Sequence, residues 1–266
     1  MPVAADTLKL LASFKIVIEA NKGTPSDPDE RVLDAEGLAL KSFIHATSCF
    51  YLQRSTMVRE LQASFFDLAS MNVLARATIE SFLVFHYVFA APSTDEEREF
   101  RHLSWVLADL LERQEIPATL PENQAKQRDE LKEIEAIIVR LKNNPAFQKL
   151  SPKRQVAVLE KKQWRFQAWT AIAQDAGLSQ LHAAFAYRHL CSYAHSGSLS
   201  VLQVRQATTR ADQLFLSEMS LRLVNVAVAF MVNAYGTMFP AGHHALSGNK
   251  DLNHTVKEWM RLGATA

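Results

Sequence analysis

An arginine and a histidine two helical turns apart can perform phosphate chemistry without help from a metal. Arg188 and His195 have that relation within AYRHLCSYAHSG, residues 186–197. A guanidinium holds a phosphate through two parallel hydrogen bonds. An imidazole moves a proton near neutral pH. Together they suit RNA cleavage by its own 2′-hydroxyl. His195 would remove or donate the proton, and Arg188 would stabilise the charge developing on the phosphate. No metal or other cofactor is required, and Tyr187 and Ser192 stand where they could orient the pair.

These residues must be positioned by a helix. With Leu181 as reference, Phe185 falls at about 40°, Arg188 at about −20°, Ser192 at about 20° and His195 at about −40° around the axis. A stripe that begins as leucine and phenylalanine thus continues as arginine, serine and histidine, and the spacing predicts that it faces the core. Arg76 and Glu80 have i, i+4 spacing on an earlier helix, and Glu218 and Arg222 repeat the pair in reverse order on a later one. The same residues support two readings. In one they form a site; in the other, a buried structural network in which both i, i+4 pairs are intrahelical and Arg188 bridges helices. A pocket for a small anionic ligand or nucleotide at Arg188 is a third reading.

Helical periodicity dominates the chain and runs of alternating β-branched residues are absent, so the fold is predicted to be all-α, a helical bundle with long central helices. The spacing predicts helices over about 6–21, 34–54, 56–89, 93–113 and 122–142, with further helices from Ser151-Pro152, over 164–175 and 178–195, and over 209–238. Ser93 and Glu96 have capping-box spacing. Loops are expected at KGTPSDPDER (22–31), at SGSLS (196–200) and at AGHHALSGNK (241–250). One helical domain spanning 1–266 is expected, with 115–165, more polar than its flanks, as a candidate inserted helical subdomain.

The 266 residues include 48% apolar and 21% charged residues with a net charge of +1, ordinary for a soluble protein and without a global pull on nucleic acid. Two cysteines, Cys49 and Cys191, make no disulfide framework and suit a reducing cytoplasm. The segment MPVAADTLKLLASFK has no signal-peptide pattern. Residues 63–91 and 223–239 are apolar enough for a membrane check. Asp67, Arg76 and Glu80 interrupt the first, and the second fits a buried central helix, so a cytoplasmic protein without membrane attachment is expected. Phosphate-loop, dinucleotide, zincin, paired C-x-x-C and nucleophile-elbow motifs are all missing. His243 and His244 are adjacent and point different ways, so no metal site is expected. His45, His86, His102 and His182 read as core or boundary residues, and Trp105 and Trp259 as packing residues.

A second basic region, KLSPKRQVAVLEKKQWR at 149–165, combines six basic residues with Trp164. Lys161, Lys162, Trp164 and Arg165 could hold single-stranded RNA through phosphate contacts and base stacking. A solvated helix face with inward-packed aromatics is the competing reading.

Arg188-His189 followed by His195 resembles the R-x4–6-H motif of the HEPN superfamily, in which a polar residue such as histidine often follows the arginine. The resemblance implies a small helical bundle and a metal-independent endoribonuclease of toxin-type, defence or stress systems. It also implies a homodimer in which two motifs form one cleft, and an antitoxin or other defence partner. R-A-T-I-E at 76–80, followed by Y-R-H-L-C-S-Y-A-H at 187–195, resembles a bacterial helical family of unknown function that pairs an R-x3-E helix with a Y-R-x-L-S-x-x-x-H helix. That resemblance spans roughly 35–240 and implies a shared fold and polar cluster. Here Cys191 stands where the family has serine, and Ser192 follows one position later.

Overall fold

The computed structural model describes residues 3–22 and 29–265, and at Tyr187 the backbone but not the side chain. Most of the expected 22–31 loop therefore lies outside the described residues. The described chain forms thirteen α-helices and one small hairpin, an all-α fold. Close contacts gather it into two compact units, residues 1–86 with 169–266, and residues 87–168.

The first unit starts with α1 (Val3–Asn21) and α2 (Glu30–Leu52). Asp29 opens α2 by accepting a hydrogen bond from the Arg31 backbone at 2.9 Å. The single helix expected over 56–89 is corrected here. Residues 56–58 and 63–65 pair as antiparallel strands β1 and β2, with Thr56 opposite Phe65 and Val58 opposite Ala63. Gln62 supplies the turn in the left-handed region, at φ 48°, so no glycine or asparagine marks it in the sequence. Asp67 then caps α3 (Leu68–Phe85) by accepting from the Ser70 backbone. A π-type turn, His86–Ala90, ends this stretch.

After the other unit, the chain continues as α8 (Trp169–Asp175), α9 (Gln180–Ala194), α10 (Ser198–Gln206), α11 (Arg210–Met238), α12 (Pro240–Ser247) and α13 (Lys250–Ala264). The expected loop at 241–250 is largely α12, with Pro240 in its first turn. Its Gly242 is there for close packing, because a Cβ would sit 3.0 Å from the Val17 carbonyl oxygen of α1. The expected break at 196–200 shrinks to Ser196, at φ 53°, and Gly197 before α10 begins. Helix α11 is the axis of the unit and packs on α1, α2, α3, α12 and α13. Its residues from Leu223 to Val232 are all buried. Phe82 on α3 meets Phe230 at 5.8 Å, and Trp259 on α13 donates to the buried Asp6 carboxylate at 3.2 Å. Two helical stretches, Leu68–Ala90 and Arg210–Met238, are long and apolar enough to cross a membrane. Burial covers 72% of the apolar window in the latter. Cys49 is fully buried, which pushes its thiol up to about 12.

The other unit holds α4 (Asp95–Gln114), α5 (Pro121–Asn143), α6 (Pro145–Gln148) and α7 (Pro152–Glu160) around Phe100, Leu107, Ile137, Leu141 and Phe147. Thr94, not Ser93, caps α4 by accepting from the Glu97 backbone. Ser93 instead donates to the Glu97 carboxylate. Three acids in the first turn suit the positive end of the helix.

Candidate functional site

Helix α9 carries the Arg188 motif. Ser179 caps it, accepting from the His182 backbone while its hydroxyl lies 2.9 Å from the His182 ring. The face that packs on α3 is Ala183, Ala186, Leu190 and Tyr193. The expected core stripe is the opposite one and lies at the surface: Leu181 is 62% exposed, Phe185 43%, and Arg188 and His195 are exposed. The reason is steric. Ala183 and Ala186 fit against α3 beside the larger Leu190 and Tyr193, while Leu181 and Phe185 fall on the opposite side of the helix.

Arg188 and His195 therefore share the solvent face, about 10 Å apart along the axis. Neither side chain makes a hydrogen bond or ion pair with another described residue, and no bridge from Arg188 to a second helix is present among them. Ser192 is half-buried between them. Its carbonyl oxygen accepts from the Gly197 backbone at 2.7 Å, and a Cβ on Gly197 would stand 2.6 Å from the Ser192 hydroxyl. That contact pins the turn carrying His195, which closes the C-terminus of α9. The expected role of the Tyr187 side chain lies outside the described residues.

His189 belongs to the flank of this face. Its ring stacks on Phe185 at 5.5 Å and meets the edge of Tyr193 at 5.6 Å. Burial holds its pKa below the ordinary 6.5, favouring the neutral imidazole. Burial likewise pushes the Tyr193 phenol up to about 12, and its hydroxyl donates to Gln203 on α10 at 2.6 Å. These residues line a groove between α9 and α11 with Phe215, Met219 and the Glu218–Arg222 pair, whose ends meet at 2.6 Å. The i, i+4 spacing of Glu218 and Arg222 marks the pair in the sequence, whereas the groove depends on the exposure of Phe215, which no local pattern carries.

Arg76 and Glu80 do form the expected intrahelical pair, at 2.9 Å. They line a small, largely apolar cavity of about 40 Å³ with His182, Ala183, Ala186 and Leu190. That is the buried face of α9, so the structure does not bring this pair together with Arg188 and His195.

The basic region of the second unit is mostly engaged within that unit. Lys162 pairs with Glu115, and the Trp164 ring meets Tyr87 edge-on at 5.8 Å. Arg165 lies over Trp164 and donates to the Gln167 carbonyl oxygen, while Lys161 is exposed. Among the other histidines, His86 bonds Asp175 at 3.0 Å and His102 is buried against Phe89 and Trp105. His243 and His244 lie on α12 rather than in a loop, and among the described residues no three His, Cys, Asp or Glu side chains cluster as metal ligands.

A model of a family of unknown function, DUF5677, matches residues 61–210. The chain belongs to that family. The match is narrower than the 35–240 expected from the two motifs, but it contains both the Arg76–Glu80 helix and the whole of α9. No curated protein and no solved structure matches the chain.

Proposed function

We propose that this DUF5677 member is a HEPN-like, metal-independent endoribonuclease of a defence or stress system, working as a homodimer. The observation that carries the reading is the presentation of Arg188 and His195 on one exposed face of α9, without competing partners among the described residues. A phosphate can reach that face. Neutral His195 takes the proton from the 2′-hydroxyl, whose oxygen attacks the adjacent phosphorus. Arg188 neutralises the added charge on the phosphoryl oxygens. The bond to the 5′-oxygen breaks, and that leaving oxygen must receive a proton. One histidine cannot serve both sides of an in-line displacement at once, so a second copy supplies a protonated His195 as the acid. The products are a 2′,3′-cyclic phosphate and a 5′-hydroxyl. The exposed Leu181 and Phe185 beside the motif favour a second copy there. Arg76 and Glu80, paired within α3 and lining a cavity on the buried face of α9, have no part in this chemistry.

The test compares wild type with Arg188→Ala and His195→Ala on RNA in the presence of EDTA. Both variants should lose cleavage while melting like wild type. Activity retained by both variants contradicts the assignment.

A further inference from the structure

Helix α2 is apolar on two faces. One, including Ala35, Leu38, Ala39 and Ala46, is buried in the unit. The other should carry charges, as the solvent face of a surface helix does. Instead, Leu33, Leu40, Ile44 and Tyr51 are 48–59% exposed. Together with Gly37 and Thr47 they follow alternating spacings of four and three residues, the a/d seam of a coiled coil, over about 27 Å. Their exposed apolar area is on the order of 400 Å², within the range of the largest patch on a monomer, which is often functional. Gly37 adds an independent sign. A mid-helix glycine weakens a helix, yet a Cβ there would meet no described atom within 4 Å. Nothing among the described residues requires it, whereas close approach of another helix would.

We propose that α2 pairs with α2 of a second copy, antiparallel, about a two-fold axis through residue 42. In that register Leu40 faces Ile44, Leu33 faces Tyr51, and the small Gly37 faces Thr47, so every large apolar residue meets another. The ends are complementary in charge: Glu30 opens the helix and faces Arg54, just beyond its other end. Shifting the register by one heptad sets Glu30 against Thr47 in one direction; in the other it sets Gly37 against Arg54 and leaves Leu33 opposite residue 58, beyond the helix end. Lys41 flanks the centre from both copies, where its exposed head is screened by water and salt. Helix α2 lies outside the 61–210 family match, so this contact is argued for this chain alone and independently of the ribonuclease reading.

The assembly is tested by analytical ultracentrifugation of the full chain. Ile44→Glu should halve the mass of the assembly: a dimer joined by α2 falls to monomer, and a tetramer joined through both α2 and α9 falls to a dimer. Gly37→Leu has open space in a single chain and should fold normally, yet weaken self-association by at least about tenfold. Glu30→Arg and Arg54→Glu should each weaken it, and the double variant should recover it. Unchanged mass for Ile44→Glu and Gly37→Leu overturns the proposal. So does a double charge swap weaker than either single variant, which would point to a different protein as occupant. RNA cleavage by these variants reports separately on the α9 site.

Discussion

At the residue scale, the proposed catalytic pair and the side chains that hold structure differ in exposure. Arg188 and His195 are exposed, so removing either should change stability by no more than about 0.5 kcal/mol. Tyr193 is buried, and Tyr193→Phe, which deletes its bond to Gln203, should cost about 1 kcal/mol. Acid sensitivity should come from His189. Its folded pKa lies below the ordinary 6.5, so in acid the unfolded chain binds protons that the native state refuses. Stability is therefore full above about pH 6.5 and is lost as the pH falls from there through the folded value. His45 contributes in the same direction, through burial and then the nearby Lys41 charge. Melting curves across that range should show the loss, and His189→Phe should reduce it. An unchanged pH profile in that variant would remove His189 as the source. The motif itself was legible in the sequence, because arginine and histidine at seven-residue spacing fix a shared face. Which face was not legible, because α9 is apolar on both sides and two of its four buried side chains are alanines.

At the element scale, packing distances decide the consequences of small changes. Gly263 on α13 sits against α11, where a Cβ would stand 2.6 Å from Val226 and 2.8 Å from Phe230. Gly263→Ala should therefore destabilise the protein by about 1–3 kcal/mol, measured by urea denaturation. A neutral result would mean that α13 shifts freely on α11. The long helices were readable from their period, while their caps were not: Thr94 rather than Ser93 caps α4, and Thr209 with Asp212 opens α11. The β1–β2 hairpin was not, since its left-handed residue is a glutamine rather than a glycine. Helix α12 was hidden by glycine, proline and histidines whose composition suggests a loop. There Gly242 answers a tertiary need, room for α1, that no local pattern carries.

At the scale of the whole molecule, the family match and the folding units do not coincide. Residues 61–210 include α3, the whole 87–168 unit, α9 and α10, but omit α2 and nearly all of α11. Helix α3 packs chiefly on those two helices. A fragment limited to 61–210 should thus expose Met71 and Phe82, both buried in the full chain, and bind a hydrophobic dye without a cooperative melt. A sharp melting transition for that fragment would show that the matched region is autonomous. The central claim, that the exposed face of α9 is a catalytic surface, is tested most directly by the ends of RNA incubated with the full chain in EDTA. The account predicts 2′,3′-cyclic phosphate and 5′-hydroxyl ends with wild type and intact RNA with an equally stable His195→Ala. The same ends produced at the same rate by both proteins, or no cleavage by either, would contradict it.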